Sequence, residues 1–103
     1  MNETITVKII TPSNIILDLA AFIVTLPGEE GVFGVLPNHA PLIASLKNGI
    51  INISIDSGNL RYFISKGIAE VTGTNINVIT EFALDVTNLS QSEIDEKIRA
   101  YIR

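Results

Sequence analysis

From residue 3 to the mid-eighties, apolar and polar residues alternate with a period of two, and this alternation limits what the chain can fold into. In "ETITVKII", Ile5, Val7 and Ile9 fall on one side while Thr4, Thr6 and Lys8 fall on the other. That is the pattern of a strand with one face in a core and one in solvent. "NGIINISIDSGNLRYFISKG" reads as a hairpin. Ile51, Ile53 and Ile55 alternate with Asn52 and Ser54, "DSGN" supplies turn residues, and Leu60, Tyr62 and Ile64 alternate again. "IAEVTGTNINVIT" repeats the arrangement around the turn "TGTN", and "AAFIVTLP" and "PLIASL" read as further short strands. Short strands broken by Gly, Asn and Pro about every ten residues predict a mainly β domain, a sandwich or flattened barrel of about ten strands.

The period changes after Leu84. In "NLSQSEIDEKIRAYIR", Ser90 and Glu93 have the spacing of a capping box, and Ile94, Ile98 and Tyr101 recur on one helical face. Acidic residues open the segment and basic ones close it, as the helix dipole favours. The expected organisation is a β domain over 1–86 and a short helical segment over 87–103.

Composition removes several function classes. With 103 residues, 47% of them hydrophobic and 17% charged, the chain has the make-up of one globular domain. Its net charge is −4 and its seven Lys and Arg are scattered, leaving no basic patch for nucleic acid. Cysteine is absent, so disulfides and thiolate metal sites are excluded. No apolar run approaches the length of about 18 residues that a membrane helix requires, and no signal peptide is expected at "MNETITVKII".

The densest motif is "PGEEGVFGVLPNHAP", where Gly28, Gly31 and Gly34 stand three apart and the single histidine, His39, lies between two prolines. A phosphate cradle would need a helix start and a Lys-Ser/Thr ending. Here two prolines block a helix and Glu29 and Glu30 repel an anion. No nucleophile motif accompanies His39, and one histidine without a second ligand is poor metal material. His39 is better read as packed on a turn and bonded to a neighbouring backbone carbonyl, and the glycines as tight turns. No catalytic residue, cofactor or metal is expected. Val32, Phe33, Val35, Leu36, Pro41 and Leu42 crowd apolar surface into a proline-stiffened segment, as in a protein-binding site ordered before its partner arrives.

"PGEEGVFGVLPNHAPLIASLKNGIINI" closely resembles the signature of the epsilon subunit of F-type ATP synthases, called delta in mitochondria. "SKGIAEVTGTNINVIT" matches a second block of that family, and "TEFALDVTNLS" stands where the family leaves its sheet for a helix, so the resemblance spans essentially the whole chain. It implies a ten-stranded sandwich at the foot of the rotor's central stalk. Such a subunit binds gamma on one side and the membrane c ring on the other, within a complex that also holds alpha, beta and delta subunits. It performs no chemistry itself and couples proton flow to ATP synthesis, peripherally on the cytoplasmic face of a bacterial inner membrane.

Carried onto this sequence, the resemblance assigns partner contacts to Glu30, Gly31, Val32, Phe33 and Gly34, then to Leu36, Pro37, His39, Ala40, Pro41 and Leu42. Positive φ is expected at Gly31 or Gly34. Some bacterial relatives carry an Ile/Leu-Asp-x-x-Arg-Ala nucleotide motif. Ile94-Asp95 is separated from Arg99-Ala100 by three residues, one too many, so that site is not carried over. The family commonly ends in two helices that can extend and block hydrolysis, whereas this sequence holds one short helical segment and is expected not to inhibit that way. The alternative from another class is a free-standing β-sandwich module for carbohydrate or peptide. Two Tyr, four Phe and no Trp make a poor aromatic platform for it.

Overall fold

Ten strands and one helix follow one another in a computed structural model that describes residues 3–102: β1 (Ile5–Ile10), β2 (Ile15–Ala21), β3 (Ile23–Gly28), β4 (Gly31–Val35), β5 (Leu42–Leu46), β6 (Gly49–Ile55), β7 (Gly58–Ile64), β8 (Gly67–Val71), β9 (Asn75–Thr80), β10 (Ala83–Asp85) and α1 (Gln91–Ile102). The mainly β architecture, both hairpins and the terminal helix agree with the sequence reading. "AAFIVTLP" is divided, however: Ala20 and Ala21 end β2, the chain bends at Phe22, and β3 begins at Ile23.

The hydrogen-bonded order is β10-β7-β6-β3-β5-β8-β9-β1-β2, with β4 on β3. All pairings are antiparallel except β1 with β9. Strand β3 is the corner. Ile23–Thr25 pairs with β6, whereas β5 joins β3 only through Gly28 and Leu46. The sheet therefore has two halves, β10-β7-β6-β3-β4 and β5-β8-β9-β1-β2, whose inner faces share one core. Val24, Leu26, Val35, Ile51, Ile53 and Ile64 come from the first half; Ile5, Val7, Ile9, Leu46, Ile76 and Val78 come from the second. The period-two apolar positions supply this core, since each alternate side chain of a strand points to the same face.

The two outer faces differ. On the first half, Ile50, Phe63 and Leu84 stand opposite one another on β6, β7 and β10. Helix α1 covers this row, burying Ile94 with Phe63 and Val86 in a second, smaller cluster that Ile98, Phe82 and Leu89 border. Tyr101 stacks on Phe82 with ring centroids 3.9 Å apart. The capping box forms as the sequence predicts: the Glu93 amide donates to Ser90 Oγ at 3.2 Å, and the Ser90 amide donates to Glu93 Oε1 at 2.8 Å. On the second half, no described element covers the outer face.

Candidate functional site

The segment from Glu30 to Leu42 is not one loop. Strand β4 runs through it, and the five residues Gly31–Val35 separate two patches by about 13 Å at the usual rise of a strand. Val35, grouped by its sequence with the exposed apolar residues, is fully buried in the main core. It pairs with Val24 across β3 and faces inward, as alternation from inward Phe33 requires.

The first patch is the β3–β4 hairpin tip. Gly28 pairs with Gly31, leaving Glu29 and Glu30 as the exposed two-residue turn. A side chain at Gly28 would press the Gly31 carbonyl at 2.6 Å and the Phe33 ring at 2.9 Å, so the close approach requires glycine. Gly31 has φ 136°, in accord with one of the two predicted positions; Gly34 does not have a positive φ and lies extended within β4. Val32 stands exposed beside the tip, and a cleft of about 560 Å³ opens between the hairpin and Leu42–Ser45 of β5.

The second patch is the turn "LPNH". The His39 amide donates to the Leu36 carbonyl at 3.1 Å, with Pro37 and Asn38 at the turn's centre and Asn38 at φ 69°. Proline second and a left-handed Asn third are the residues of a type II turn. The His39 ring donates from Nδ1 to the Ala40 carbonyl at 2.7 Å, the local backbone bond that the sequence suggested. Leu36 is exposed, Ala40 and Pro41 lie at the surface, and Leu42 starts β5 at its edge. Among the described residues, no three His, Asp or Glu side chains converge to hold a metal ion.

A third patch escaped the sequence reading. On the uncovered outer face, the register places Ser45, Ile68, Ile79, Ile10 and Ile15 in one row across β5, β8, β9, β1 and β2. Ile68, Ile79 and Ile15 are 47%, 50% and 59% exposed, and Ile43 on β5 is 72% exposed. The next row on the same face starts with Ile43 on β5 and is polar beyond it, with Glu70, Asn77, Lys8 and Asp18 in register. Each strand contributes a single isoleucine to the row of Ile68, Ile79, Ile10 and Ile15, so only the strand pairing reveals it.

The model of the ATP synthase delta/epsilon chain β-sandwich domain matches residues 4–86. The chain is 54% identical over 101 residues to an ATP synthase epsilon chain of Rickettsia felis, covering 95% of this chain and 90% of that one. It is 52% identical to that of Rickettsia bellii, covering 97% and 95%. Its fold is similar to a chain in the mitochondrial ATP synthase of Euglena gracilis, solved with OSCP, F1 and c-ring (TM-score 0.79, 22% identity), of which it spans 62% while 94% of this chain is covered. A second fold likeness is to a chain of the central stalk and c-ring of the Tetrahymena thermophila mitochondrial enzyme (TM-score 0.65, 13% identity, 98% and 92% covered).

Proposed function

The chain belongs to the delta/epsilon family of ATP synthase chains, and we propose that it is a non-catalytic subunit of the rotor's central stalk, joining gamma to the membrane c ring. In this role it transmits rotation driven by proton flow and makes no bond itself. Its place is on the cytoplasmic side of a bacterial inner membrane, held there through the complex. In this reading the partner contacts are carried by the β sandwich (1–86), and the short C-terminal segment (87–103) is assigned none of them.

The observation that carries the proposal is the asymmetry of the two outer faces. One is covered by the chain's own helix. The other presents isoleucines in register across the four strands β8, β9, β1 and β2, with Ile43 on the neighbouring β5. A contiguous exposed apolar row on a small domain marks a surface that a partner covers. A straight row across a sheet suits the side of a rod-like helical partner, so gamma is assigned to this face together with the Leu36–Leu42 segment. The acidic hairpin tip of Glu29 and Glu30, with Gly31, Val32, Phe33 and Gly34 behind it, is assigned to the ring.

The test measures gamma binding by Ile79→Asp, Leu36→Asp and Glu30→Ala variants, and incorporation of each into the membrane-bound complex. A charge on the isoleucine row or on Leu36 is expected to weaken gamma binding at least tenfold, since an unpaired charge buried at an interface costs a few kcal/mol. Glu30→Ala is expected to spare gamma binding and reduce attachment to the ring. Gamma binding unchanged in both Asp variants would refute the assignment.

A further inference from the structure

Asn38 is the single non-glycine residue with positive φ among the described residues. It is also the point where three distant parts of the chain meet. Its backbone amide donates to the Gly73 carbonyl in the β8–β9 turn at 2.8 Å. Its side-chain amide donates to Glu3 Oε1, ahead of β1, at 2.8 Å. Between these ties the Leu36–His39 turn closes on its own hydrogen bond. Pro37 restricts one central residue of the turn, and the left-handed backbone of Asn38 sets the other.

We propose that Asn38 is a positioning residue for the docking surface, fixing Leu36 and His39 in their bound geometry before gamma arrives; this rests on the docking role proposed above. The turn lies in the connection from β4 to β5, six residues from Leu36 to Pro41 with no sheet pairing of their own. Left free, such a connection would have to be ordered on binding, and that ordering subtracts from affinity. Asn38 removes the cost in two ways. Asn tolerates the left-handed region better than other non-glycine residues. Its two amides also tie the turn to the β8–β9 hairpin and to the approach to β1, both fixed by the sheet. Asn38 need not touch the partner to do this.

The two contributions separate by substitution. Asn38→Ala opposes the backbone conformation and removes the bond to Glu3. Asn38→Gly keeps the conformation and the amide bond to Gly73 and loses only the side-chain bond. The left-handed penalty for a side chain with Cβ, converted to a population, is about five- to thirtyfold. In the full chain, hydrogen exchange of the His39 amide is therefore expected to accelerate by about that factor in Asn38→Ala, with gamma affinity falling by a similar factor. Asn38→Gly, which loses one exposed hydrogen bond worth little at the surface, is expected to stay within about threefold of the parent in both. Exchange in β6 and β7 should be unchanged in either variant, which a general loss of stability would not allow.

Unchanged His39 exchange in Asn38→Ala would overturn the proposal, as would Asn38→Gly behaving like Asn38→Ala. Faster exchange with undiminished gamma binding would overturn it too, and Leu36→Asp then shows how far the failure reaches. If Leu36→Asp still weakens gamma, positioning alone has failed. If it binds normally, the docking role of the turn has failed as well.

Discussion

Single atoms decide several positions that the sequence marks only by residue type. Gly67 begins β8 where any Cβ would collide with the Ile79 carbonyl of β9, a backbone group that cannot turn aside as a side chain can. Gly67→Ala is expected to destabilise the fold by about 1–3 kcal/mol, measured as a lowered midpoint in urea unfolding. Gly34→Ala, whose Cβ meets only Ile23 Cδ1 at 3.8 Å, should be nearly neutral in the same assay. At Glu93, the hydrogen bonds with Ser90, backbone first, hold the carboxyl below its ordinary range. A carboxyl with a lowered folded pKa contributes stability above its unfolded value of about 4. That contribution is lost as pH falls through the folded value. The start of α1 is therefore expected to loosen in acid below about pH 4, seen as a shift of the Ser90 amide resonance. Glu93→Gln keeps an acceptor for the cap and should flatten this dependence; an unaltered acid response in that variant would place its origin elsewhere. The capping pair was legible because both partners lie within four residues. The fault line at Gly67 was not, because its contact lies on another strand.

At the level of elements, α1 is attached by few groups. Its twelve residues would form a marginal helix alone in water, and Ile94 is its one described side chain that is fully buried. The approach to the helix is held by Arg61 on β7, whose Nη2 donates to the carbonyls of Leu89 at 2.8 Å, Val86 at 3.3 Å and Thr87 at 3.4 Å. Nη2 carries two hydrogens, so one is shared between two of the three carbonyls. The rigid guanidinium aims them at this turn, and a lysine ammonium on its flexible stem is a poorer substitute. Arg61→Ala is expected to cost roughly 1.5–3 kcal/mol, the range for hydrogen bonds to a charged donor, and to speed amide exchange throughout 91–102. Ile94→Ala should do the same by emptying the smaller cluster. Because that cluster is separate from the main core, strand amides such as those of Ile53 and Val78 should keep their protection. Loss of strand protection in step with the helix would show one cooperative unit and defeat the prediction. The helix itself was readable from period and cap. Its tether was not, since nothing near Arg61 in the sequence points to residues 86–89. Strand β4 was obscured for a related reason: two glycines in five residues hide the alternation that Phe33 and Val35 carry.

For the molecule as a whole, the bare isoleucine row sets what happens when the chain is alone. Two copies can bring their rows together, burying Ile68, Ile79 and Ile15, each about half exposed at present. Fully burying one such side chain is worth about 1.5–3 kcal/mol. Three half-burials on each of two copies come to roughly 4.5–9 kcal/mol together. That is of the same order as the cost of about 4–15 kcal/mol for lost free motion, so the association is weak and in the millimolar range at its strongest. Each copy also carries a net charge of −4, and that repulsion opposes the contact. Salt acts on the two terms differently. Screening shortens the reach of the repulsion from about 10 Å at 0.1 M to about 3 Å at 1 M, while apolar burial is not weakened by it. Self-association is therefore expected to strengthen with added salt, the reverse of a contact made by ion pairs. Sedimentation velocity of the isolated chain at these two salt concentrations measures it. Ile79→Asp should remove the effect, and an equimolar gamma subunit should compete it away if the same face serves both contacts. Association that weakens as salt is added would assign the contact to charge, with Glu29 and Glu30 the first groups to test, and would remove the isoleucine row from its proposed role in self-association.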